Sequence, residues 1–186
     1  METFPRSTLL EPAQSLCNAF ASSASLPTLL SHFTSNPLPV VHEHGLKGLA
    51  PFLGRSFTGI DGVARYFELI GQLLEIQDIR FDALDDWVVD PGSLVVMLRG
   101  YARFKWRETG QTWDETVCYR IGLAEEILKV QEYRVWADTG AAYLARVGRL
   151  EEVQEKEAQT RKEIDRRKSG CGDVIGGGLK YYGGCK

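Results

Sequence analysis

The sequence predicts an α+β domain in which helices come first and a curved antiparallel sheet follows. Three observations predict it. Apolar residues recur at three- and four-residue spacing through the first part of the chain. From residue 76 to 137 that period gives way to segments rich in Val, Ile, Tyr, Trp and Phe, broken by turn signals, and the helical pattern returns after Thr139. At 186 residues the chain suits one well-buried core with a tail better than two domains.

Each element has its own signal. From about Ser7 to Ala24, Leu9, Leu10, Ala13, Leu16, Cys17 and Phe20 mark an amphipathic helix. A short helix follows, with Ser25 as cap, Pro27 in the first turn, and Leu29, Leu30 and Phe33 on the buried side; Asn36-Pro37 ends it. Residues 38–44 read as an opening strand closed by Gly45. The stretch 55–74 reads as a loop and then a helix, with Asp61 as N-cap and Val63, Tyr66, Phe67, Ile70, Leu73 and Leu74 on one apolar face. Segments 76–84, 87–90, 94–106, 113–123 and 129–137 are the strands of the sheet, with turns at Asp90-Pro91-Gly92 and Thr109-Gly110. Asp138 stands where a cap belongs for a helix beginning at Thr139.

Three regions emerge: a domain over 1–150, a charged helical extension over 151–168, and a Gly-rich tail over 169–186. The extension holds six acidic and six basic residues, acids early and bases late, which complements a helix dipole and leaves a solvated helix without coiled-coil heptads. The tail has seven glycines in eighteen positions and is expected to be disordered.

A net charge of −3 offers no footprint for a phosphate backbone, so nucleic acid is not an expected partner. The apolar run Leu94 to Leu98 is far short of the ~20 residues of a membrane span, and the start of the chain lacks the basic and apolar regions of a secretory leader. A cytoplasmic protein is expected. Cys17 and Cys118 read as core filler; Cys171 and Cys185 have neither zinc-site spacing nor a disulfide framework around them.

Residues 57–67, Phe-Thr-Gly-Ile-Asp-Gly-Val-Ala-Arg-Tyr-Phe, and residues 129–138, Lys-Val-Gln-Glu-Tyr-Arg-Val-Trp-Ala-Asp, together with the element order, resemble the nuclear transport factor 2-like superfamily, in its SnoaL-like branch. The resemblance covers about residues 8–150. It implies a cone-shaped sheet wrapped round helices, an apolar cavity, dimers formed through the sheet, and in some members cofactor-free chemistry on small hydrophobic molecules. Limonene epoxide hydrolases, cousins in the superfamily, carry an Arg-x-Asp pair where Gly100 and Ala102 stand here, which argues against that hydrolase mechanism.

Strand parity selects the residues that face such a cavity. In 94–106, Val96, Leu98, Gly100, Ala102, Phe104 and Trp106 form the inner set, and Arg99, Tyr101, Arg103 and Lys105 the outer; Gly100 and Ala102 leave space inside. Across the hairpin, Trp113, Glu115, Val117, Tyr119 and Ile121 share one parity. The resemblance places Asp138 at the family's cavity-facing aspartate, which puts Glu132, Arg134 and Trp136 inward with it. It also matches His42 and His44 to positions of polar ligand contacts. The expected site is therefore Asp138 or Glu115 as base and His42 as proton donor, with His44, Tyr119, Trp136, Arg134 and Ala102 around the ligand, and with neither metal nor cofactor.

Desolvation raises a carboxylate toward neutrality and makes it a better base, so this set fits an isomerase, dehydratase or cyclase acting on a polyketide- or terpenoid-like molecule. The structural readings compete: Asp138 as a helix cap, Glu115 paired with Arg134, the tryptophans as core. The alternative function is a noncatalytic dimeric module that binds a small ligand or a protein through the Arg99, Tyr101, Arg103 face. A cavity of about 300 Å³ or more with a carboxylate and a histidine in reach favours the enzyme.

Overall fold

The structure, a computed structural model, describes residues 4–169. The tail beyond Ser169, with Cys171 and Cys185, lies outside the described residues. Helix α1 (Arg6–Ala21) buries Leu9, Ala13, Leu16 and Cys17 along the expected stripe. Helix α2 (Leu26–Ser31) begins at Ser25, whose hydroxyl accepts the Thr28 N–H. Strand β1 spans Val40–Glu43 and is followed by β2 (Ser56–Thr58), in the stretch the sequence suggests is loop. Three residues are too few to show a period; β2 exists because β1 pairs with it, Val40 opposite Thr58. Gly59, with φ +75°, makes the sharp turn into helix α3 (Gly59–Leu73). The cap of α3 is thus Thr58, and Asp61 lies in the first turn, where a carboxylate favours the positive end of the helix.

Strands β3 (Leu74–Phe81), β4 (Val88–Asp90), β5 (Val95–Trp106), β6 (Thr112–Leu123) and β7 (Val130–Trp136) follow, then helices α4 (Thr139–Arg146) and α5 (Leu150–Ser169). The sheet order is β2-β1-β7-β6-β5-β3, with β4 also paired to β5. It is antiparallel except at one seam. β1 runs parallel to β7, with Val41 opposite Tyr133 and Glu43 opposite Val135. A parallel pair needs a long connection, and the whole of α3 and β3–β6 supplies it. In β3 the register shifts between Gln77 and Arg80, and Asp78 sits at φ +54°; such a bulge bends the strand.

The core lies between the inner face of the sheet and α1 and α3. Val41, Val96, Ile121 and Val130 are fully buried from the sheet side, and Leu9, Leu16 and Val63 from the helices. The described chain divides after Leu150 into two compact units. The second unit is the charged stretch of α5, where Glu157 pairs with Arg161 at 3.8 Å and Glu163 with Arg167 at 2.6 Å, each one helical turn apart. No helix among the described residues is long and apolar enough to cross a membrane.

Candidate active site

A cavity of about 90 Å³ lies in the first unit between the sheet and the helices. Its walls follow strand alternation. On β5 the apolar set faces in and the cations face out, where Arg99 pairs with Asp82 at 2.7 Å and Arg103 with Asp114 at 2.8 Å. Ala102 lines the cavity. Gly100 does not leave the space expected of it: a side chain there would meet the Tyr119 ring at 2.8 Å and the Phe81 ring at 3.0 Å, so those rings already occupy the room. On β6, Trp113, Glu115, Val117 and Tyr119 line the cavity, as their shared parity requires.

The residue that alternation brings in from β1 is Glu43, which the sequence reading passed over. Glu43 follows fully buried Val41 by two and is itself 7% exposed. The Tyr66 hydroxyl, from α3, donates to Glu43 Oε2 at 2.6 Å. Burial pushes the Glu43 carboxyl up to about 7; the Tyr66 hydrogen bond opposes that rise and the Glu115 charge adds to it. Tyr119 and Tyr133, stacked at 5.7 Å between ring centroids, complete this wall. Burial holds the phenols of Tyr66, Tyr119 and Tyr133 above their ordinary range, so all three remain donors at neutral pH.

Glu115 is partnered on both oxygens. The Trp113 indole donates to Oε2 at 2.6 Å and the Asp138 backbone N–H donates to Oε1. Burial raises its pKa, and these two hydrogen bonds work against the rise. Arg134 does not pair with it: Arg134 binds Glu132 at 2.6 Å, and Arg120 holds the same carboxylate. Asp138 reaches the cavity wall but its side chain is exposed and caps α4, with Oδ1 accepting the N–H groups of Gly140 at 2.9 Å and Ala141 at 3.1 Å.

Four expected site residues lie on the other face of the sheet. His42, His44, Arg134 and Trp136 point away from the cavity: His44 stacks flat on Trp136 at 4.3 Å, His42 meets His44 edge-on at 4.6 Å, and His42 Nδ1 shares a hydrogen bond with Ser56 at 3.2 Å. The physical reason is where alternation ends. β7 stops at Trp136, and Asp138 sits beyond it in the turn to α4, so counting back from Asp138 inverts the strand. The inward residues of β7 are Tyr133 and Val135. Burial first holds both imidazoles below their usual pKa; next comes the Arg134 charge for His44, and for His42 the charge of His44 and then that of Arg134.

No family model and no curated protein matches the chain. Solved structures do. A provisionally named isomerase from Bacillus subtilis superposes with a TM-score of 0.62 at 12% identity, covering 80% of this chain and 97% of the other. An NTF2-like protein from Burkholderia thailandensis gives 0.59 at 16% identity, covering 78% and 98%. The BvnE pinacolase from Penicillium brevicompactum gives 0.56 at 13% identity, covering 81% and 98%. At these identities the likeness is one of fold, and the fold is that of NTF2-like proteins.

Proposed function

We propose that this NTF2-like domain is a cofactor-free acid/base enzyme, an isomerase, dehydratase or cyclase of the SnoaL-like kind, acting on a small hydrophobic polyketide- or terpenoid-like molecule. The observation that carries the reading is a carboxyl, Glu43, buried in an aromatic cavity and held by one phenol. The base role assigned in sequence to Asp138 or Glu115 moves to Glu43, because both oxygens of Glu115 are engaged and Asp138 is an exposed cap. The donor role of His42 moves with it.

With a pKa of about 7, Glu43 has both protonation states available at neutral pH. Tyr66 fixes Oε2, which leaves the other carboxyl oxygen to exchange a proton with the ligand. As carboxylate it removes a proton from the carbon next to a carbonyl; as acid it returns that proton elsewhere, or protonates a departing hydroxyl. Glu115, with both oxygens held by N–H groups, acts on Glu43 through its charge, and Tyr119 forms the ligand wall. The isomerase and pinacolase names among the structural neighbours support this class of chemistry.

The test is α-proton exchange of cyclohexanone in D₂O, followed by NMR. Glu43→Gln is expected to slow it by about 10² to 10⁴, the usual worth of a positioned acid or base, with the melting temperature at pH 5 retained. Unchanged exchange in a folded Glu43→Gln variant would count against the enzyme. One observation favours a noncatalytic ligand carrier instead: among the described residues no histidine lines the cavity to pair with its carboxyls in proton transfer. A small molecule retained in native mass spectrometry, with exchange indifferent to Glu43, would select the carrier. Dimerisation through the outer face bearing Arg99, Tyr101 and Arg103, and a cytoplasmic setting, complete the proposal; sedimentation of the purified chain checks the dimer.

A further inference from the structure

Away from the cavity, the outer face of the sheet brings two imidazoles together. His42 lies in β1, and the His44 N–H donates to the Val135 carbonyl at 2.8 Å, which carries the ladder one residue past Glu43. Alternation therefore turns both side chains to the same face. Two residues of a strand advance about 6.6 Å, yet the ring centres stand 4.6 Å apart, so the rings lean toward each other.

Each ring is held by a different neighbour. His42 Nδ1 shares a hydrogen bond with Ser56 at 3.2 Å, which leaves Nε2 for another partner. His44 lies flat on Trp136, with 8° between the planes. Its Nε2 is buried without a hydrogen-bond partner, although the residue as a whole is half-buried; such a nitrogen calls for a bound water or ion. Trp106 Nε1 is in the same condition, but an indole only donates, whereas a neutral imidazole carries a lone pair. Burial holds both imidazoles below their usual range, so the neutral form prevails at pH 7.5.

Neutral imidazoles suit zinc, copper and nickel. With an ion about 2.0 Å from one nitrogen of each ring, centres 4.6 Å apart subtend about 90° at the ion, the angle of a tetragonal site rather than a tetrahedral one. Among the described residues no group of three or more His, Cys, Asp and Glu side chains is placed to hold an ion, so the two rings are the whole protein share and water supplies the rest. The Arg134 charge reaches both rings and opposes a cation; Glu132, 2.6 Å from Arg134, offsets that charge in part.

We infer that His42 and His44 form a binding site for one divalent transition-metal ion of the nickel or copper kind on the outer face of the sheet. The site is separate from the cavity and stands or falls independently of the enzyme reading.

The experiment titrates the full, untagged chain, whose three histidines are His32, His42 and His44, with Ni²⁺ alone at pH 7.5, followed by calorimetry and by NMR of the histidine ring protons. One ion per chain is expected, with paramagnetic broadening of the His42 and His44 signals ahead of His32. His42→Ala and His44→Phe, the second keeping an aromatic ring on Trp136, are each expected to weaken binding at least tenfold. If His44→Phe does not fold, the His42→Ala result and the order of broadening decide. No binding by the unmodified chain, broadening of His32 first, or an affinity unchanged by His42→Ala, as for an ion held at Cys171 and Cys185, would each overturn the site.

Discussion

Glu43 makes its own prediction about stability. Its carboxyl titrates at about 7 in the folded chain against an ordinary 4.5, so the folded state holds the proton more tightly than the unfolded one. The stability it contributes is complete below pH 4.5, declines as pH rises toward 7, and is flat above that. Glu43→Gln removes the slope. Between pH 4.5 and 8 the wild type is expected to lose about 3 kcal/mol relative to the variant, at roughly 1.36 kcal/mol per unit, read from urea unfolding. Asp138 separates two roles by a second substitution. Asn caps as well as Asp, so Asp138→Asn should keep the melting temperature, while Asp138→Ala costs about 1 kcal/mol; a tenfold loss of exchange in the Asn variant alone would show an acid role beyond the cap. Gly100→Ala drives a methyl into the Tyr119 and Phe81 rings and is expected to destabilise by about 1–3 kcal/mol in thermal unfolding. The residues legible in sequence were those on long strands. β5 runs twelve residues with cations on one face only, so Ala102 follows without ambiguity, and Glu115 and Tyr119 follow from the equally long β6. Glu43 was not legible, because β1 is four residues long and begins Val40-Val41, which leaves its parity open.

At the scale of elements, the site depends on contacts that bring short pieces to long ones. The loop before β2 is tied to α4 by Arg146, which donates to the carbonyls of Gly48 at 3.1 Å and Leu49 at 3.0 Å. The start of α5 is satisfied from the β5–β6 hairpin: buried Gln111 accepts the Leu150 N–H at 2.7 Å. Gln111→Ala leaves that N–H without its partner and is expected to cost about 1–3 kcal/mol, visible as a lower melting temperature. Periodicity finds α1, α3 and the hairpin strands, since each is long enough to repeat. It cannot find β2, and it cannot tell that β1 joins β7 in parallel, because pairing between strands some ninety residues apart leaves no local trace.

For the whole molecule, the order of helices before sheet was readable because it is a change of period along the chain, and the fold is shared with solved structures at 12–16% identity. The cavity's occupant was less readable, since it depends on which of two neighbouring residues faces inward. The division after Leu150 yields a further expectation: a chain ending at residue 153 should melt within about 3 °C of the full chain, the shift of a roughly 1 kcal/mol change at this size.

The parallel seam has a consequence for synthesis. Glu43 leaves the ribosome early, but the strand that must flank it, Val130–Trp136, is made almost ninety residues later, after every other strand. Bringing such distant partners together carries the largest loop-closure term in the sheet. A chain that stops before Val130–Trp136 leaves Glu43 without its flanking strand, and its carboxyl is expected to keep the ordinary value of 4.5 there. Any activity resting on Glu43 is for that reason a late marker of folding, silent in every shorter nascent chain.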